Sequence, residues 1–368
     1  MIDQQNFSMP ESTVPASVVA RPADRPRPSV EGLARDLGLT LGAPHQLTIR
    51  RVRRGRGYSF VRPNGTPVRH AHTVRRFHAL AVPPAYRDVL YAADPSLHLQ
   101  AVGRDAAGRL QYRYHADWEK VRETRKADRL GRLVQALPRI RRNVAKHLAG
   151  DQATREFALS AVIELIAKTA IRPGNESYAR MNGTRGATTL LKTNVILDDC
   201  LVTLTFRGKG GKDIRKTCKA PRLLHAMRVL RDVPGKRMFQ YRDNNGVVRN
   251  VSTTQVNAFL RDIAGIKISL KDFRTLVASA AALDILSRVT PAPSDRGRRK
   301  QVLEAVRAAA DELSNTPAIC RKSYVHDTIF AAFEDGVLAR IAATLNTRSS
   351  LARREVLLAK VVATAAAG

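Results

Sequence analysis

The chain runs to 368 residues, and 63 lysines and arginines against 32 aspartates and glutamates leave a formal charge of +31. That balance points to a polyanion as partner, nucleic acid first, while an apolar share of 44% supports real hydrophobic cores and the length suggests two domains. Three widely spaced cysteines, Cys200, Cys218 and Cys320, exclude a disulfide framework and a cysteine-based zinc site and fit a reducing compartment, and no apolar run approaches the ~18 residues of a membrane span.

Residues 1–30 are rich in Pro, Ser and Arg and are expected to form a disordered tail without the features of a signal peptide. The stretch "SVEGLARDLGL" predicts a short helix capped by Ser29, with Leu33 and Leu37 on one face. From about residue 46 to 115 the texture is that of a sheet. Here "LTIRRVRRGRGYSFVRPNGTPVR" alternates apolar and basic residues and predicts a hairpin turning at Pro63-Asn64-Gly65, and "LHLQAVGRDAAGRLQYRYH" repeats the strand–turn–strand theme. After Trp118 the pattern becomes helical. "ATREFALSAVIELIAKTAIR" is a long aliphatic helix. One sheet interrupts the helices, "TTLLKTNVILDDCLVTLTFRGKGGKDIRKTCKA", turning at Asp198-Asp199 and again at the "GKGGK" of 208–212. Helices return through "APRLLHAMRVLRDV", "STTQVNAFLRDIA", "KDFRTLVASAAALDIL" and "RRKQVLEAVRAAADEL". "RVTPAPSDRGRR" reads as a loop and "SLARREVLLAKVVATAAAG" as a helix with a frayed end. The fold class is α+β: a small antiparallel β-rich N-terminal lobe (31–116), a larger mainly α-helical domain with a small embedded β-sheet (117–350), and a C-terminal tail (351–368).

Five residues of the helical part could carry chemistry, and each is locally ambiguous. Arg172 stands before Pro173-Gly174, which suits either an aimed guanidinium or an ordinary helix C-terminus. Lys209 tips a glycine-flanked hairpin that lacks the spacing of a P-loop, and it is either a reaching cation or a solvated turn. Arg274, early in a helix of small residues, is a phosphate clamp or a surface residue. Asn315 precedes a capped helix start, Thr316-Pro317. Tyr324 follows Arg321-Lys322 and is a core aromatic or a nucleophile that needs cations to stabilise its phenolate.

In this order, the stretches "IRPGNESYAR…GATTL", "FRGKGGK", "KDFRT" and "NTP…RKSYV", with "VPPAYRDVLYAADPSLHLQAVGRDAAGRLQYRYH" in the N-terminal lobe, resemble type IB DNA topoisomerases of the poxvirus and bacterial branch. The resemblance spans roughly residues 45 to 345. It implies the catalytic fold shared with tyrosine recombinases. It also implies relaxation of supercoiled DNA without ATP or an obligatory metal, through a DNA-(3′-phosphotyrosyl)-enzyme intermediate, strand rotation and religation. On it, Tyr324 is the nucleophile, Arg172 and Arg274 hold the non-bridging oxygens, Lys209 is the general acid for the 5′-oxygen, and Asn315 bonds a non-bridging oxygen. Arg109, Gln111 and Tyr112 of the N-terminal lobe and Tyr178 of the catalytic lobe would lie on DNA, with a hinge around Asp117 to Arg129 and the lobes forming a clamp. The expected partner is double-stranded DNA, the expected state a monomer, and the expected place the cytoplasm, on the nucleoid. The sequence departs from the poxvirus pattern at Asn315, where a histidine stands, and at Asn175, where some relatives carry lysine. Two other readings remain. A tyrosine recombinase shares the Arg–Lys–Arg–Tyr set, although its His-x-x-Arg box reads Lys271-Asp272-Phe273-Arg274 here. A basic DNA-binding protein without activity would not need the five side chains to converge on one phosphate-sized site.

Overall fold

The computed structural model describes residues 29–345 and 350–367, so the tail expected over residues 1–30 lies almost wholly outside the described residues. The chain divides into two compact units between Val121 and Arg122.

The first unit opens with α1 (Val30–Asp36), whose Ser29 hydroxyl accepts from the Gly32 amide at 2.8 Å as the cap pattern requires. Its sheet comprises β1 (Ile49–Arg54), β2 (Gly57–Val61), β3 (Arg87–Tyr91), β4 (Leu99–Arg104) and β5 (Leu110–Tyr114), antiparallel throughout in the order β2-β1-β3-β4-β5. The first hairpin does not turn at Pro63-Asn64-Gly65. Arg54 pairs with Gly57, so the chain reverses at Gly55-Arg56, where Gly55 takes a φ of 55°. Pro63-Asn64-Gly65 makes a second reversal, with the Arg62 amide donating to Thr66 O at 2.8 Å and Pro67 bridging back to Val61. Both sites carry turn residues, and the two-residue link wins the hairpin because it keeps β1 and β2 in continuous register. The helix α2 (Ala71–Ala79), not anticipated from the sequence, covers the sheet with Phe77, whose ring centroid lies 4.9 Å from that of Phe60 and 4.8 Å from that of Tyr91.

The division between the units falls inside α3 (Trp118–His147), so the segment expected as a hinge is helix from Trp118 onward. The second unit is built on α4 (Arg155–Thr169), capped by Thr154. Phe157 to Ile163 are all buried, which gives an apolar helix an interior place packed by its neighbours. After α5 (Glu176–Asn182) comes the embedded sheet of β6 (Val195–Leu197), β7 (Leu201–Arg207) and β8 (Asp213–Lys219), turning where the sequence predicts. Then follow α6 (Pro221–Arg231), the unanticipated hairpin β9 (Gln240–Arg242) and β10 (Val248–Asn250), α7 (Thr253–Ala264), α8 (Leu270–Leu286) and α9 (Asp295–Glu312). α6, α7 and α8 all pack on α4. α9 begins at Asp295 because Ser294 caps it, so only the first half of "RVTPAPSDRGRR" is loop. The chain continues through α10 (Pro317–Ser323), α11 (Asp327–Glu334), α12 (Val337–Ala343) and α13 (Ser350–Ala367).

The stretch set apart as a C-terminal tail is α13, and it belongs to this core. Leu357, Leu358, Val361 and Val362 are buried, and Arg354 donates to the buried carboxylate of Asp284 on α8 at 3.1 Å. Leu358→Ala is therefore expected to lower the free energy of unfolding by about 2–5 kcal/mol in a denaturant titration, the cost of a cavity in a packed core; an unchanged midpoint would place this helix outside the core.

Candidate active site

Two helix ends and their carbonyls set the site. α4 stops because Ala170 adopts a left-handed φ of 51°, three residues before Pro173, and its amide closes the last turn onto Ile166 O. The chain then runs through buried Ile171 to Arg172. Arg172 O accepts from the Ala187 amide and Pro173 O from the Thr188 amide, each at 2.8 Å. A Cβ at Gly186 would sit 2.6 Å from Arg172 O and from the Gly174 amide nitrogen, so only glycine allows this contact. That is the physical link between the "IRPG" and "GATT" ends of one motif.

α9 ends in the same manner. Ser314 has a left-handed φ of 49°, and the Asn315 amide reaches back to Ala310 O at 2.9 Å, a Schellman-type closure. These are two of four non-glycine residues with positive φ among the described residues, and both line one cleft. Asn315 follows directly. Thr316 caps α10 by accepting from the Ile319 amide at 3.4 Å, and Tyr324 is the residue that closes that helix. The Tyr324 carbonyl accepts from the buried Ser279 hydroxyl on α8 at 3.1 Å.

The side chains meet in a cleft of about 400 Å³. Arg172 donates to the Tyr324 hydroxyl at 3.2 Å and to Asn315 Oδ1 at 3.5 Å. Arg274 is only 2% exposed, which settles its local ambiguity against a surface residue. Its guanidinium donates to Ala170 O and, at 3.3 Å, to Leu313 O, and lies 5.1 Å from the centre of the Tyr324 ring. Among the described residues it has no carboxylate partner. Arg274 Nε and Asn315 Nδ2 are buried donors without an acceptor. Lys209 sits on an exposed turn where Gly210 and Gly211 have φ of 77° and 75°, and it lines the same cleft. The lining contains no Asp or Glu. The sequence reading missed four of its cations, Arg185, Lys212, Lys216 and Lys271. Lys216 reaches across from β8 to donate to Glu312 O at 2.8 Å, and burial pushes its ammonium below the usual lysine value. Its only sequence signal is a lysine at an alternating position of a strand, which does not distinguish it from its neighbours.

Burial pushes the Tyr324 phenol up, and the guanidinium groups of Arg274 and Arg172 more than reverse this, leaving it below the ordinary tyrosine value. Burial also holds the Cys320 thiol, one helical turn before Tyr324, up at about 11, so it stays neutral. Elsewhere the candidates are more dispersed. Arg109 and Gln111 both donate to Asp105 Oδ2 at 2.9 Å, and Gln111 and Tyr112 point to opposite faces of the edge strand β5. Tyr112 is 43% exposed, and Tyr178 on α5 is 45% exposed.

A carboxylate-free cleft lined by three arginines, with orphaned donors and a tyrosine hydroxyl, is suited by its charge and its donors to an oxyanion. The comparisons give the family. Residues 115–348 match the family model of the catalytic core of eukaryotic DNA topoisomerase I, and residues 57–105 match that of the N-terminal domain of bacterial DNA topoisomerase IB. The chain belongs to the type IB DNA topoisomerases, and with that its α+β catalytic fold and its class as an isomerase follow. A relative, the DNA topoisomerase 1B of Acanthamoeba polyphaga mimivirus, is 28% identical over 259 residues, 68% of this chain and 77% of its own. A solved XerH site-specific recombinase in a post-cleavage complex with palindromic difH substrate covers 52% of this chain and 47% of its own, at 17% identity and a TM-score of 0.33.

Arg172→Ala removes one of the cations that hold the phenol down. The absorbance titration of Tyr324, read as wild type minus Tyr324→Phe, is expected to move to higher pH in the Arg172→Ala background. An unmoved curve would mean that Arg172 does not act on the phenol.

Proposed function

We propose that Tyr324 attacks a phosphodiester of duplex DNA, with the site residues acting as one phosphoryl-transfer unit. The Tyr324 Oη–P bond forms as the P–O5′ bond breaks and the phenol proton passes to water, leaving a 3′-phosphotyrosyl link and a free 5′-hydroxyl. Arg172 and Arg274 take the non-bridging oxygens, where bidentate guanidinium groups meet the charge of the pentacoordinate state. Asn315 Nδ2 donates to one of them. Lys209, which makes no hydrogen bond or ion pair among the described residues, gives its proton to the leaving O5′. The observation that carries this reading is the pair of buried donors without acceptors, Arg274 Nε and Asn315 Nδ2, beside the Tyr324 phenol. A phosphate would satisfy both.

The family is generally independent of cofactors, and the same holds in this proposal. The bond formed is about as energetic as the bond broken, so reversal by the 5′-hydroxyl after strand rotation needs no ATP. The cations that meet the transition-state charge belong to the protein, so a divalent metal is not obligatory. A monomer suffices, because one chain furnishes every group in the cleft. Arg109, Gln111, Tyr112 and Tyr178 serve as DNA contacts, the two exposed tyrosines offering a hydroxyl to phosphate or a ring face to a base.

Supercoiled plasmid in EDTA without ATP is expected to be relaxed by wild type and not by Tyr324→Phe, which also forms no covalent adduct. Relaxation by the Phe variant would move the nucleophile elsewhere. Lys209→Ala is expected to lose about 10²–10⁴-fold in cleavage rate, and to recover on a substrate whose bridging 5′-oxygen is sulfur, since a thiolate leaves without a proton. A defect unchanged on that substrate would remove Lys209 from the acid role. DNA affinity is expected to fall steeply with salt, through release of counterions from neutralised phosphates; a flat salt profile would contradict a phosphate-dominated interface.

A further inference from the structure

We propose that Lys126 and His326 are positioning residues that set the Tyr324 backbone for attack, an assignment that rests on reading Tyr324 as the nucleophile. Neither side chain lines the cleft, so neither touches the reacting atoms. Both hold the short link between α10 and α11 on which the tyrosine is mounted.

Three consecutive residues of that link are tied. Ser279 donates to Tyr324 O at 3.1 Å, Lys126 Nζ donates to Val325 O at 3.2 Å, and the His326 ring meets Glu123 O at 2.9 Å through Nε2. The tautomer follows from the neighbours. His326 Nδ1 accepts from the Thr328 amide at 3.1 Å as the cap of α11, so the ring proton of the neutral form lies on Nε2 and is given to Glu123 O. Two of the three ties therefore come from a single turn of α3, Glu123 to Lys126. The Glu123 carboxylate completes the arrangement, 3.4 Å from Lys126 Nζ and 3.4 Å from His326 Nε2, so the half-buried ammonium has its counter-charge. The side chains are 17% exposed for Lys126 and 6% for His326, which is costly for such groups unless their partners are fixed.

The consequence is geometric. The phenol must arrive in line with the leaving oxygen, and a shift of about 1 Å at the nucleophile costs on the order of 10²-fold in rate. α10 closes at Tyr324, and the amides of Tyr324 and Val325 both end on Cys320 O, at 2.9 and 3.1 Å. The Val325 carbonyl and the His326 side chain lie beyond that closure, and the α3 turn fixes them from outside.

The test separates holding the nucleophile from holding the fold. Lys126→Met keeps the stem and removes the donor. His326→Asn keeps a good cap acceptor for α11 but is too short to reach Glu123 O. Each full-length variant, with wild type, Lys126→Arg, Lys209→Ala and Tyr324→Phe, is measured for single-turnover adduct formation on a duplex oligonucleotide, DNA affinity and melting temperature. Lys126→Met and His326→Asn are expected to cleave about tenfold or more slowly, with affinity and melting temperature near wild type and with recovery in Lys126→Arg. Their defect is expected to persist on the substrate with bridging 5′-sulfur, which relieves only a leaving-group defect such as that of Lys209→Ala. Wild-type cleavage rates in both variants, loss of rate only in step with affinity and melting temperature, or rescue by the 5′-sulfur substrate would each overturn the proposal. If wild type forms no Tyr324-dependent adduct, the nucleophile assignment itself fails, and the positioning role with it.

Discussion

A guanidinium buried without a carboxylate is the constraint on which this site depends. Arg274 cannot shed its charge, and an isolated buried charge is costly unless polar partners surround it. The partners here are the terminal carbonyls of two helices, Ala170 at the end of α4 and Leu313 at the end of α9. Helix C-termini carry unsatisfied carbonyls and partial negative charge, so a cation fits there. The left-handed residues Ala170 and Ser314 end both helices abruptly and direct those carbonyls at one point. Carbonyls compensate only part of the charge. The remainder is the electrostatic reason the cleft attracts an anion and the phenol beside it titrates low.

The same frame divides the proposed chemistry into fixed and reaching parts. Arg172, Asn315 and Tyr324 stand at or just beyond helix ends, and Arg274, in the second turn of α8, bonds the last carbonyls of α4 and α9. Arg172 is further fastened by the contact that Gly186 permits. Lys209 is the exception, on a turn with two left-handed glycines. The division fits the tasks assigned. Charge stabilisation needs groups set before the reaction, whereas a proton donor must follow the departing oxygen.

Much of this was legible in the sequence because the motifs carry their own stereochemistry. Pro173-Gly174, the "GKGGK" turn and Thr316-Pro317 mark where helices and strands must break, and the candidate residues sit at the breaks. What stayed hidden depends on tertiary meeting points. The burial of Arg274 follows from where α4 and α9 end, which no pattern within α8 encodes. Lys216 looks like any lysine of an alternating strand until the end of α9 meets it. The hairpin was misplaced because "PNG" and "GRG" are both competent turns and only the register of β1 against β2 chooses. The aliphatic end of the chain reads as a frayed tail, and only the surfaces of α8 and α11 show that Leu357 and Val361 have somewhere to be buried.

The asparagine at position 315 is intelligible in the same terms. The cleft lining already holds several cations and no carboxylate. A further positive charge there would repel Arg172 and Arg274 until an anion arrived. An amide avoids this and has a second use. Its Oδ1 receives Arg172, which turns Nδ2 away as a donor with nothing yet to bind. A protonated imidazole has no acceptor and could not do both. In the proposed reaction, one neutral side chain thus orients a guanidinium and supplies a hydrogen bond to the phosphate oxygen. The transition-state charge is left to Arg172, Arg274 and Lys209, and a departure from the poxvirus pattern at this position is compatible with the same chemistry.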